Sequence, residues 1–168
     1  MTGLRWKLLP AFLSFCTLCA IAATCPAQSA RPTRLLTTAE QSNYTKTSSQ
    51  KEVVEFLSQL SSLSPDLTLV TIGVSVEDRP IQAVIAANPP LDDPRNLTND
   101  ARLVIFLVGN IHAGECAGKE AILGLLRDLA VGRRKEWLKQ FVIVAIPNFN
   151  VDGNERQGTG HRPGQVGP

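Results

Sequence analysis

Apolar residues in this chain follow two rhythms. Val53, Val54, Leu57, Leu60 and Leu63 recur at helical spacing, and Ser64-Pro65 interrupts them, which predicts a helix beginning near Gln50. From Leu67 to Val76 the period drops to two. Leu67, Leu69 and Ile72 alternate with polar residues up to Gly73, which predicts a strand. Glu77-Asp78-Arg79-Pro80 has the composition of a tight turn, and Ile81–Ala87 reads as a second strand, so the two form a β-hairpin. Asn88–Asp100, with Pro89, Pro90 and Pro94, is a loop.

Beyond the loop the pattern changes again. Leu103–Val108 is apolar at every position, which suits a central strand covered on both faces. It ends at Gly109-Asn110. A helix follows, with Ala117, Ala121, Leu125 and Leu129 on one stripe and Ile122 and Leu126 beside it, and Gly132 ends it. A short helix around Trp137 precedes a second buried strand, Phe141–Ile146, which Pro147 halts. Strand, helix, strand with buried runs at both ends is a parallel βαβ unit. The expected fold class is therefore α/β: a mixed, largely parallel sheet with flanking helices. Open sheets of this kind place their sites outside the carboxyl ends of the strands. Two segments fall there, His112–Glu115 and Asn148–Arg156. After Asn148 the chain is nearly devoid of apolar residues and offers no closing element up to Pro168, so the sheet is expected to be truncated after its first strands.

Composition narrows the function classes. Apolar residues make up 43% and charged residues 19%, with a net charge of +2 spread along the chain. That excludes a clustered basic surface for nucleic acid. Arg133-Arg134-Lys135 reads as a solvated helix C-terminus favoured by the helix dipole. The amino terminus differs in kind: Arg5 and Lys7 precede an apolar stretch, Leu8–Ala23, and small residues follow. This is the pattern of a secretory signal peptide over residues 1–27, cleaved near 27–30, and it falls short of the roughly 20 apolar residues of a membrane span. A secreted or periplasmic protein with no stable span after cleavage is expected. Residues 28–49 read as a polar lead-in, and the folded domain as residues 50–168. Cys16, Cys19 and Cys25 lie in the leader, which leaves Cys116 alone, with no disulfide framework and no cysteine-based zinc knuckle. Cys116 itself reads as a small buried residue rather than a nucleophile.

His112 and Glu115 carry the candidate chemistry. A catalytic zinc takes three protein ligands and leaves one position open for water. Histidine offers a neutral ring nitrogen and glutamate one or two oxygens, and a spacing of three brings both to one side of a helical turn. Glu115 is expected in the first turn of the helix, where the dipole favours its ionised form. Such a pair also arises by chance, and a hydrogen-bonded structural histidine is the competing reading. Placement directly after a buried strand raises the metal reading and leaves both open. For Asn148, Asn150, Asp152, Asn154 and Arg156, turn-building by side-chain hydrogen bonds is favoured over direct catalysis.

The stretch Gly109-Asn110-Ile111-His112-Ala113-Gly114-Glu115, followed by Gly118-Lys119-Glu120-Ala121, resembles the zinc-ligand segment of the carboxypeptidase A-type metallocarboxypeptidases. Pro147–Arg156 resembles that family's Asn-Pro-Asp-Gly segment. With His161–Pro168 as its continuation, it is most similar to a bacterial branch. Ile72–Ile81 resembles the family's Gly-x-Ser-x-Glu-Gly-Arg hairpin. The resemblance implies a zinc-dependent exopeptidase acting on peptide or protein C-termini, with one zinc ion and with His112 and Glu115 as its first two ligands. The family's third histidine ligand, its general-base glutamate and its carboxylate-binding Asn-Arg pair have no counterpart here, so no catalytic residue is expected within this chain. His161 occupies a position where the family shows no ligand. The chain departs from the family at Gly114, where many members carry Arg, and at Gln165, which corresponds to the Arg near the oxyanion. Both departures remove positive charge. They keep open a zinc amidase or deacylase of the same fold, beside a catalytically inactive remnant or binding module.

Overall fold

Helix α1, Thr38–Gln41, is a single turn closed by a reciprocal cap. The Thr37 hydroxyl accepts from Glu40 N–H, and the Glu40 carboxylate accepts from Thr37 N–H. Helix α2, Gln50–Leu63, begins with the same device: Ser49 caps Glu52, and hydrogen bonds from Ser49 hold the Glu52 carboxyl below its usual range. The computed structural model describes residues 35–91 and 93–156. The expected signal peptide, His161 and Gln165 lie outside them. The chain divides into two units, residues 1–33 and 34–168, and the described residues belong to the second. Among them no helix is long and apolar enough to cross a membrane.

Strands β1 (Leu67–Val74) and β2 (Pro80–Ala86) form the expected antiparallel hairpin, with Asp78 at φ 58° in its turn. A bulge between Thr71 and Gly73 shifts the register. Ile72, which the sequence reading groups with Leu67 and Leu69, is the residue without a β2 partner at this bulge and is 49% exposed. The loop from Asn88 includes a short 3-10 turn, Pro94–Asn99, capped by Asp93. Strand β3 (Leu103–Val108), helix α3 (Cys116–Ala130) and strand β4 (Phe141–Ile146) make the parallel βαβ unit. A 3-10 turn, Lys135–Lys139, stands where the helix around Trp137 is expected. Arg134 of the basic run stacks over the Trp137 ring, and Lys135 pairs with Asp66. The sheet order is β1-β2-β4-β3, with one parallel ladder, β3 with β4, and two antiparallel ones.

Strand β3 departs from expectation. It stands at the edge of the described sheet, with Leu103 65% and Phe106 62% exposed. An all-apolar run marks a strand suited to burial on both faces, but it does not say which neighbours cover it.

The core lies between one sheet face and helices α2 and α3. Val53, Leu57 and Leu60 of α2 meet Leu123, Leu126 and Leu129 of α3 over Val84, Ala86, Ile143 and Ala145. Each fully buried Leu in this layer contributes about 2 kcal/mol. The α3 stripe is rotated from the expected one. Lys119, Ile122, Leu123, Leu126 and Leu129 face inward, while Ala117 and Ala121 are exposed. Alanine is nearly neutral between faces, so the leucines set the rotation and carry Lys119 inside with them. The polar lead-in also packs more closely than its composition suggests. Ala39 is buried, Leu35 touches the core, and Arg127 on α3 pairs with Glu40 and donates to Leu35 O.

Candidate metal centre

Strand β3 ends at Gly109, where the backbone is crowded. A Cβ at this position would lie 2.6 Å from Pro147 O and 2.9 Å from Lys119 N, so only glycine lets β3, β4 and α3 converge here. Asn110 follows with φ 52°, in the left-handed region that Asn tolerates better than most residues. The chain then makes a tight turn from His112 to Glu115, closed by Glu115 N–H donating to His112 O at 3.2 Å. Gly114 has φ +85°, the value that the third residue of a type II turn requires. Glu115 is the residue just before α3 rather than part of its first turn, since the helix starts at Cys116. The three-residue spacing therefore works through a β-turn. Ala113 is buried beneath it, while His112 Nδ1 and Glu115 Oε2 converge at 3.0 Å with side chains 46% and 43% exposed. Among the described residues, no three or more His, Cys, Asp or Glu side chains gather as a metal-binding group.

The turn is tied to the segment after β4. Phe149 N–H donates to Gly109 O and Asn150 N–H to Asn110 O, each at 3.0 Å. The segment closes into helix α4, Val151–Arg156, where the composition suggests turns. Asn150 Oδ1 accepts from Gly153 N–H at 2.9 Å and so acts as its cap. The asparagines make structural hydrogen bonds. Asn110 Nδ2 donates to Asn148 Oδ1 at 2.6 Å and to Asn154 Oδ1 at 3.3 Å, and Asn148 Nδ2 donates to Gln50 Oε1 at 2.7 Å. Lys119, 0% exposed, donates to Asn154 Oδ1 at 2.5 Å and to Ser48 O. Burial pushes its ammonium below the ordinary lysine range, opposed first by the nearby Glu120 carboxylate. Glu120 in turn accepts from Thr47 Oγ1, Ser48 N–H and Ser48 Oγ at 2.7–3.1 Å. Asp152 receives Ser75 Oγ at 2.7 Å and the Arg79 guanidinium at 2.6 Å, and Arg156 pairs with Glu77, so the hairpin turn is bound to α4. Three of the segments singled out by sequence thus meet around one turn. Lys119 and Glu120 belong to the segment that carries the resemblance, but the burial of Lys119 and the Ser48–Glu120 contact are not legible in it. Helical spacing from Ile122 and Leu126 was the available signal for Lys119, and its charge argued the other way.

Carboxypeptidase D of Mus musculus is 34% identical over 114 residues, which cover 64% of this chain and 8% of that protein. Carboxypeptidase D of Homo sapiens is 31% identical over the same shares. The chain therefore spans less than a tenth of the length of these relatives. Among solved structures, carboxypeptidase A of Helicoverpa armigera is similar over 66% of this chain and 26% of that one, at 22% identity and a TM-score of 0.57. A metallo-carboxypeptidase of Burkholderia cenocepacia is similar over 64% of this chain and 28% of that one, at 21% identity and a TM-score of 0.53. These structural likenesses are of fold, and they come from both bacteria and eukaryotes, so they do not single out a bacterial branch. The zinc carboxypeptidase family model matches residues 53–167, from the start of the α2 stripe through the His112–Glu115 turn and α4. Because that match spans most of the chain, the protein belongs to the zinc carboxypeptidase family.

Proposed function

We propose that this chain forms the N-terminal part of a zinc-dependent metallocarboxypeptidase that hydrolyses C-terminal peptide bonds, with His112 and Glu115 as its first two metal ligands. The convergence of Nδ1 and Oε2 at 3.0 Å on the His112–Glu115 turn carries this reading. Two ligands at about 2.0–2.1 Å from a tetrahedral zinc stand about 3.3 Å apart, so the pair fits a common ion after a small opening. Zinc held there supplies Lewis-acid polarisation of the scissile carbonyl and acidification of a bound water. The chain's own residues supply placement. Gly114 folds Glu115 back toward His112, Ala113 anchors the turn from below, and the half-exposed donors remain open to a substrate.

Zinc prefers four-coordination, and the described residues bring two donors together. The third ligand and the proton-transferring carboxylate are therefore assigned to parts of the protein outside the described residues, and the 168 residues alone are expected to be inactive. The exposed apolar edge of β3 supports this assignment, because it is built to receive more sheet. The Asp152–Arg156 stretch and its continuation favour a bacterial branch, and the basic and apolar leader favours secretion or the periplasm.

The full-length gene product containing this sequence is expected to carry one zinc, and His112→Ala to lose both the metal and peptidase activity. Unchanged zinc content in the variant would sink the assignment. A second reading, a zinc amidase or deacylase, is favoured by Gly114. It places no side chain between the two donors, and its φ of +85° suits glycine. A panel of substrates with free C-terminal amino acids, set against simple acylated amines, separates the two.

A further inference from the structure

Lys119 is the largest fully buried side chain among the described residues. Taking an ammonium out of water is expensive unless partners replace its hydration, and an apolar residue of similar volume usually fills such a place at lower cost. Its neighbours on the same face, Ile122, Leu123 and Leu126, show that the site accepts apolar groups. Packing alone therefore does not account for a cation here.

The hydrogen bonds indicate what the cation holds. Asn154 Oδ1 receives Lys119 Nζ at 2.5 Å and Asn110 Nδ2 at 3.3 Å, while Asn154 Nδ2 donates to Ser48 O at 3.2 Å. Lys119 also donates to Ser48 O, so the amide of Asn154 is fixed at both ends. Asn110 lies two residues before His112, in the left-handed conformation that starts the turn. Asn148 and Asn150 hold its side chain and backbone from the other side. The sequence order scatters these groups over residues 48–154, and the fold lines them up from the lead-in to the ligand turn.

We infer that Lys119, Asn154 and Asn110 form a positioning relay that fixes the backbone carrying His112 and Glu115. The inference rests on the reading of those two residues as metal ligands. None of the three is assigned as a metal ligand. They act through the conformation of residue 110, and their loss lowers metal affinity out of proportion to any loss of stability.

The test uses the full-length gene product and measures zinc affinity by competition with a chromophoric chelator, alongside thermal unfolding of the metal-free protein. Asn110→Gly keeps the positive φ accessible and deletes the amide. Lys119→Met keeps the volume and deletes the charge. Each is expected to weaken zinc binding about tenfold, the lower end for groups that orient ligands from behind. Leu57→Ala, in the core under α2, serves as a control that loses stability with unchanged zinc affinity. Wild-type affinity in Asn110→Gly overturns the relay while leaving the ligand assignment intact. An equal affinity loss in Leu57→Ala also overturns it, since general destabilisation would then suffice. A wild-type protein that binds no zinc overturns both. Should Lys119→Met fail to fold, Asn110→Gly decides the question.

Discussion

A methyl group added to Gly109 should be among the most damaging small changes in this protein. The new Cβ would lie 2.6 Å from Pro147 O, 2.9 Å from Lys119 N and 3.1 Å from Gly118 C. All three are backbone atoms of two different elements, so no side-chain rotation relieves the overlap. Ordinary contact requires the β3 end to retreat by several tenths of an ångström from both β4 and α3. That retreat would strain the Gly109–Ile146 and Phe149–Gly109 hydrogen bonds, at 2.9 and 3.0 Å. Overpacking typically costs 1–3 kcal/mol, and backbone on both sides puts Gly109→Ala near the top, at about 3 kcal/mol. The neighbouring Gly118→Ala supplies the contrast. Its Cβ would meet only Gly109 Cα, at 3.7 Å, an ordinary contact. Helix propensity then favours the substitution by up to about 1 kcal/mol. Urea denaturation of the full-length gene product, followed by circular dichroism, should show the two variants moving in opposite directions at unchanged slope. If Gly109→Ala falls within about 1 kcal/mol of Gly118→Ala, the close approach at the end of β3 is not as described.

Gly114→Ala should destabilise by about 1 kcal/mol, because the turn holds φ +85° with open space around it, so the cost is conformational rather than steric. A Gly114→Asn variant that retains more stability than Gly114→Ala would identify the backbone as the cause, and equal stability would argue against it. Glu120→Ala removes the acceptor for Thr47 and both Ser48 groups, at about 2 kcal/mol, and should expose residues 42–48 to limited proteolysis. An unchanged digestion pattern would mean that the lead-in is held elsewhere. The Arg102 guanidinium beside Asp100 holds its carboxyl down at about 2, below its unfolded value near 4. The contribution of this pair is therefore present above about pH 4 and lost as pH falls toward 2. Asp100→Asn should flatten the acid-side slope of melting temperature in that window, and identical slopes would refute the assignment.

Local rules account for much of this molecule. Periodicity placed α2, both strands of the hairpin, β3, α3 and β4, because each segment's apolar spacing matches one backbone geometry and its ends carry Pro, Gly or a capping Ser. The motif around His112 was legible for the same reason: ligand chemistry and its position after a strand are both local facts. Misreadings arose where a residue's role depends on distant chain. Ala117 and Ala121 share an apolar stripe with Leu125 and Leu129 in sequence, yet the leucines of α3 choose the face by what they meet on α2 and the sheet. Ile72 lies in a bulge that only pairing with β2 creates, and it is exposed.

What the sequence determined by itself was the main helices and strands, the family and the identity of the candidate donors. Only the tertiary structure decided how those donors meet. A His-x-x-Glu spacing is compatible with a helical turn or a β-turn, and the choice depends on the positive φ of Gly114, the crowding at Gly109 and the bonds from Asn148, Asn150 and Asn154. Those bonds join residues about forty positions apart, so no local pattern encodes them. The burial of Lys119 has the same origin: it is a charge whose partners, Ser48 and Asn154, lie far from it along the chain and become neighbours only when the sheet forms.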